Sequence, residues 1–199
     1  MILLALIAAA AFFAYRSLLS NKSQPIESIA VMPFTNESRN EDIEYLSDGM
    51  TDSLINSLSQ LPHLAVKARS SVFQYKGKEV EPKRIASELS VQAILNGRVV
   101  QRGDDLTLYL SLVDAQTGNQ VWGEQYNRKL TDIVTLQKEI ALDVSNKLRM
   151  KLSGAEEQKV AKNYPANPEA YQLYLKGRYH VLKLTPAEVK RHFVFSTSD

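Results

Sequence analysis

Residues able to do covalent chemistry are scarce in this chain of 199 residues. It has no cysteine, which removes thiolate nucleophiles, disulfides, thiolate zinc sites and iron–sulfur clusters. The three histidines, His63, His180 and His192, are dispersed, and His63 follows a proline at a helix exit, so structural or surface roles are expected of them. No serine sits in a Gly-x-Ser-x-Gly elbow, and no glycine loop of the phosphate-cradling kind is present. The carboxylate pairs Glu41-Asp42 and Asp104-Asp105 fall in loops or turns, where solvation and turn formation account for them. No nucleophile, base and orienting group can be assembled from these residues. The chain is therefore read as a non-enzyme with no catalytic residue, cofactor or metal site.

The residues that invite a function are ones suited to contact. Asp48-Gly49 lies in a helical pattern, where glycine costs about 1 kcal/mol relative to alanine and something must offset it. The preferred reading makes Asp48 an N-cap that starts the helix; the other is a close backbone approach or ligand contact at this pair. Lys67, Arg69, Lys76, Lys78, Lys83 and Arg84, with Phe73 and Tyr75 between them, form a basic stretch diluted by Glu79 and Glu81. A solvated face beside anionic lipid is preferred there to a nucleic-acid site. The formal net charge of +2 is also too small for the field that nucleic-acid binding usually needs. Trp122 and Tyr126 share one side of a strand and read as core or helix-packing residues before a ligand platform. Arg102-Gly103-Asp104 spells an adhesion tripeptide but is what a hairpin turn uses. The candidate interaction or signature residues are thus Asp48, Gly49, Phe73, Tyr75, Lys76, Gly77, Trp122 and Tyr126.

The elements that must position them follow from periodicity. Ile29-Ala30-Val31-Met32 is a short apolar run closed by Pro33, and a polar loop follows at Asn36 to Asn40. Tyr45, Leu46, Met50, Leu54, Ile55, Leu58 and Leu61 predict a helix over 44–61 stopped by Pro62; Leu64-Ala65-Val66 begins a second strand. Lys76-Gly77-Lys78 is a turn, and Pro82, at ease in a first turn, opens a helix over 82–90. An antiparallel meander follows from Ala93, through Leu106, Leu108, Leu110 and Leu112 as the strongest core residues, to Asn127. Thr131 or Asp132 caps a helix over 131–152. The fold class is α/β, a mixed sheet with order β-α-β-α-β-β-β-α, preceded by a transmembrane helix and followed by a partial α-helical repeat.

Both ends extend this plan. Met1 to Tyr15 carries no charged side chain, and Leu18-Leu19 prolongs the apolar run towards the roughly 20 residues of a span; a buried core helix is the alternative. Residues 1–19 are expected to be a transmembrane helix, possibly truncated, and 20–25 a linker that keeps the globule near the bilayer. Residues 26–153 form the α/β domain, 154–167 a second linker rich in proline and asparagine, and 168–199 a partial helical hairpin.

Ser28-Ile29-Ala30-Val31-Met32-Pro33-Phe34, Tyr45-Leu46-Ser47-Asp48-Gly49-Met50-Thr51 and Ser71-Val72-Phe73-Gln74-Tyr75-Lys76-Gly77-Lys78 resemble the TolB amino-terminal-like domain, related to the flagellar FlgO-type domain. Ile94-Leu95-Asn96-Gly97-Arg98-Val99, Leu112 to Gly118 and Val121-Trp122-Gly123-Glu124-Gln125-Tyr126 continue the similarity, over about Ile26 to Leu152. Asn167 to Gly177 looks like the start of a tetratricopeptide array. The resemblance implies a module of bacterial signalling proteins whose output part is a serine/threonine kinase, a winged-helix regulator or an adenylate cyclase. No kinase glycine loop, His-Arg-Asp loop or Asp-Phe-Gly motif is present, so kinase or cyclase activity would belong to absent sequence.

The expectation is a non-catalytic, membrane-tethered binding or assembly module with its globular part in the periplasm. Charge counting alone would put that part in the cytoplasm. Its partners are membrane lipid and an unidentified protein, with homo-oligomerisation left open and nucleic acid not expected. The alternatives are an envelope or flagellum-associated structural protein, and binding of nucleic acid or anionic lipid through the 67–84 stretch.

Overall fold

A computed structural model describes residues 26–38, 43–148, 153–162 and 167–183. Within them a mixed α/β fold forms around a sheet of six strands. The elements run β1 (Ser28–Val31), β2 (Thr35–Asn36), α1 (Glu44–Leu58), β3 (Ala65–Val66), α2 (Arg69–Phe73), α3 (Pro82–Leu89), β4 (Ala93–Arg102), β5 (Asp105–Asp114) and β6 (Gln120–Lys129). A 3-10 turn (Leu130–Asp132), α4 (Ile133–Lys147), α5 (Gly154–Lys162) and α6 (Pro168–Lys183) complete it.

The sheet order is β3-β1-β4-β5-β6, parallel from β3 to β4 and antiparallel from β4 to β6, with β2 pairing parallel to β4. Ile29, Ala30 and Val31 are buried on both faces, as a continuous apolar run in a parallel strand requires. β3 and β4 lie on opposite sides of β1, so right-handed crossovers carry α1 and α3 to opposite faces. In the meander, Leu106, Leu108, Leu110 and Leu112 face the helices and are buried, while Thr107, Tyr109 and Ser111 face away. α4 covers the leucine face with Ile133, Leu136, Ile140, Ala141 and Val144, and α6 packs outside it on α1, α4 and the 3-10 turn.

A ligand crevice is common in open α/β sheets where the strand order reverses, here between β1 and β4. This chain fills it. After Met32-Pro33 the Phe34 ring lies on Gly97, where a Cβ would come within 2.4 Å of the ring. The Phe34 N–H donates to Thr51 Oγ1 at 2.9 Å, and the Thr51 hydroxyl donates to the Ser47 carbonyl at 2.8 Å. β2 then resumes pairing, Thr35 beside Arg98 and Asn36 beside Val99.

Four expectations need correction. The single-pass membrane placement with a periplasmic globule is overturned: among the described residues no helix is long and apolar enough to cross a membrane. The longest, α6, has 16 residues and carries Lys176 and Arg178. The segments 1–19, 20–25 and 184–199, read as span, linker and hairpin end, lie outside the described residues. The first predicted helix ends at Leu58, three residues before the periodicity suggested, because Ser59 to Leu61 turn with i→i+3 hydrogen bonds ahead of Pro62. The last starts at Ile133, after a 3-10 turn. Gly154–Lys162 is a helix where a linker was expected, capped by reciprocal bonds between Ser153 and Glu156.

Candidate functional site

Helix α1 sets three carboxylates four residues apart, Glu44, Asp48 and Asp52, on one face. Three cations from other elements meet them. Lys76, in the turn after α2, places Nζ 2.6 Å from Glu44 Oε1 and 2.5 Å from Asp48 Oδ1. Arg69, at the start of α2, places Nη2 3.9 Å from Asp48 Oδ2 and stacks its guanidinium 3.3 Å over the Phe73 ring. Arg178, on α6, places Nη2 2.6 Å from Asp52 Oδ2. Asp48 and Asp52 are only 6% and 4% exposed, so both need these partners.

The electrostatics follow from burial opposed by pairing. Burial pushes the Asp48 carboxyl up, against the pull of Lys76 and Arg69. Burial also works against the Lys76 ammonium, but its hydrogen bonds to Asp48 and Glu44 outweigh this and hold its pKa above the ordinary value. Burial lowers Arg69, although a guanidinium stays charged at any pH a protein meets. The space enclosed by Asp48, Gly49, Asp52, Arg69, Leu175, Arg178, Tyr179 and Leu182 is about 10 Å³, the room of one water at most. A substrate has no place there, and every carboxylate of the cluster is held by a cation. What the arrangement can do is clamp α1, α2 and α6 together.

Gly49 makes the clamp fit. A Cβ on it would lie 2.7 Å from Leu175 Cδ2, so the missing side chain lets α6 settle on α1. Beside it the Tyr171 hydroxyl, which is buried, shares a hydrogen bond with Ser53 Oγ at 2.5 Å and donates to Gln137 Oε1. Asp48 is therefore not an N-cap: α1 starts at Glu44 with Ile43 before it, and Asp48 sits in the helix proper. The close-approach reading of this pair is the one the packing realises.

Of the eight singled-out residues, Asp48, Gly49, Phe73 and Lys76 come together in this cluster. Tyr75 points to α3, its hydroxyl donating to Glu88 Oε2 at 2.5 Å, and Gly77 takes φ +71° in the turn. Trp122 and Tyr126 lie on β6, well apart from the clamp. Trp122 is half-buried against the core, and the Tyr126 hydroxyl donates to Asp143 Oδ2 of α4 at 2.7 Å. Burial and that carboxylate push the Tyr126 phenol far up. Sequence reasoning missed Glu44, Asp52 and Arg178 as members. The four-residue spacing of the acids was a usable signal, whereas nothing local marks Arg178.

Fold and cluster together define a mixed α/β module with a charged helix junction. The profile of the HilA/YgeH-like transcriptional regulator, second domain, matches residues 24–143, more than half of the chain. The chain belongs to that family. It is also 36% identical over 167 residues to a protein of Rhizobium meliloti (strain 1021) provisionally named adenylate cyclase 3, covering 82% of this chain. The chain spans only 28% of that relative's length. Among solved structures, lipoprotein GNA1162 from Neisseria meningitidis is 22% identical with a TM-score of 0.46, covering 64% of this chain and 99% of that one. TolB from Acinetobacter baumannii is 14% identical, also with a TM-score of 0.46, over 63% of this chain and 29% of its own. Overlaps this loose carry no functional argument. The FlgO-type relation and the tetratricopeptide array rest on the sequence resemblance alone.

Proposed function

We propose that the chain is a non-catalytic binding and assembly module of a bacterial signalling protein, with any regulatory or cyclase output carried by sequence outside it. The observation that carries this reading is the clamp itself: the two buried carboxylates among the described residues are both held by cations, Asp48 within the α/β unit by Lys76 and Arg69, and Asp52 by Arg178 of α6. A reaction centre leaves a charge available to substrate, whereas this cluster neutralises its own. Membership of a regulatory family and kinship with a much longer protein named for adenylate cyclase support the signalling context. The helix α6, whose sequence resembles the opening of a tetratricopeptide repeat, is the element through which the module would pass its state to the next.

The basic stretch favours this reading over an anion-binding surface. Arg69, Lys76 and Arg84 are paired with Asp48, with Glu44 and Asp48, and with Glu88. Half of its six cations are thereby neutralised within the fold. The test is direct: the purified chain, given ATP and magnesium, is expected to form no cyclic AMP above the buffer background. Asp48→Asn and Asp52→Asn are expected only to lower its thermal stability. Turnover that vanishes in either variant at unchanged stability would overturn the proposal.

A further inference from the structure

Helix α6 is attached to the α/β unit by an interface unlike the one beneath α4. α4 buries Ile133, Leu136, Ile140, Ala141 and Val144, whereas of the 16 residues of α6 only Tyr171 and Leu175 are buried among the described residues. The surface of α1 that receives α6 is largely polar. Asp48, Gly49 and Asp52 line the junction with Leu175 and Arg178, and Ser53 meets the Tyr171 hydroxyl.

Docking α6 on this surface leaves polar groups short of partners. Among the described residues four buried side-chain polar atoms have no hydrogen-bond partner in the protein, and two of them, Arg69 Nη1 and Gln137 Nε2, belong to side chains at this junction. A buried donor without an acceptor costs free energy that contact with water restores. Arg69, whose charge burial already opposes, also meets the like charge of Arg178 from the docked helix. The attraction between Asp52 and Arg178 is offset by the desolvation of Asp52. Asp48, by contrast, does not depend on α6, because its partners Lys76 and Arg69 both belong to the α/β unit. Lifting α6 would thus return Asp52, Ser53, Arg69 and Gln137 to water at the loss of two buried apolar contacts, and leave the sheet and α4 packed.

We propose that α6 is a releasable latch: it leaves α1 and α4 as one unit while the α/β unit stays folded, so that docked and released helix are two states of the module. The inference rests on the reading of α6 as the element that passes on the module's state. Native-state hydrogen exchange of the whole chain in low urea tests it. The amides of α6 are expected to exchange through one shared opening, about tenfold or more faster than those of β5. Ile94 is buried on the sheet face away from α6, and it stays packed when only α6 lifts. Ile94→Val is therefore expected to speed β5 exchange about fivefold and to leave α6 exchange unchanged. Gly49→Val, by crowding Leu175, is expected to speed α6 exchange about tenfold or more. If Gly49→Val does not fold, Leu175→Ala makes the same comparison. Equal acceleration of β5 and α6 by Ile94→Val would show that α6 leaves only with the whole fold. Exchange graded inward from the ends of α6 and unmoved by Gly49→Val would show fraying alone, and either result overturns the inference. Cyclic AMP formation bears on the non-catalytic reading and not on this docking, so the two fail separately.

Discussion

At Gly49 a hydrogen in place of a side chain decides how closely two helices approach. Glycine inside α1 sacrifices about 1 kcal/mol of helix propensity, and the burial of Leu175 against the gap offsets it. Gly49→Val is expected to cost about 1–3 kcal/mol by overpacking. Combined with Leu175→Ala, it should cost less than the two single changes summed, because the alanine makes room; urea melts of the four proteins check the coupling. Asp114 illustrates a different residue-level device. Its Oδ1 accepts from the Thr117 N–H at 2.7 Å, the Gln116 N–H at 3.0 Å and the Thr117 hydroxyl at 2.9 Å, building the turn into β6. The Thr117 N–H above all holds its carboxyl below the usual range. A depressed folded pKa means that this stabilisation is present above the unfolded value and lost as pH falls through the folded one. Asp114→Ala should therefore cost about 1 kcal/mol at neutral pH. The gap from the parent should close as the solution is acidified below about pH 4, measured as urea midpoints across pH.

Among the elements, α6 is the one whose attachment defines the module. It is held by Leu175 on Gly49, by Tyr171 between Ser53 and Gln137, and by Arg178 on Asp52. An ion pair of this kind need not add net stability, since Asp52 is desolvated, but removing the partly exposed Arg178 takes away its direct partner. Arg178→Met is expected to destabilise by about 1–3 kcal/mol, because buried Asp52 loses its direct partner. Asp52→Leu with Arg178→Met should recover most of that loss, and hydrogen exchange of the α6 amides distinguishes undocking from global unfolding. The four-residue rhythm of Glu44, Asp48 and Asp52 was visible in the sequence as a charged helix face. Which cations would meet it was not, because Arg69, Lys76 and Arg178 arrive from three separate segments.

At the scale of the whole molecule, α1, α4 and α6 gather over one face of the sheet, and among the described residues α3 covers the other face only at its parallel end. The sequence by itself determined the mixed α/β class, the leucine face of β5, the turns and the absence of thiol chemistry, because these depend on local periodicity and composition. Only the tertiary structure decided that Asp48 is a buried ion-pair partner and no cap, that residues 154–162 are helical, and that Phe34 seals the crevice over Gly97. Each of these turns on segments far apart in the chain meeting in space, where burial makes a charge need its partner and a ring need its glycine.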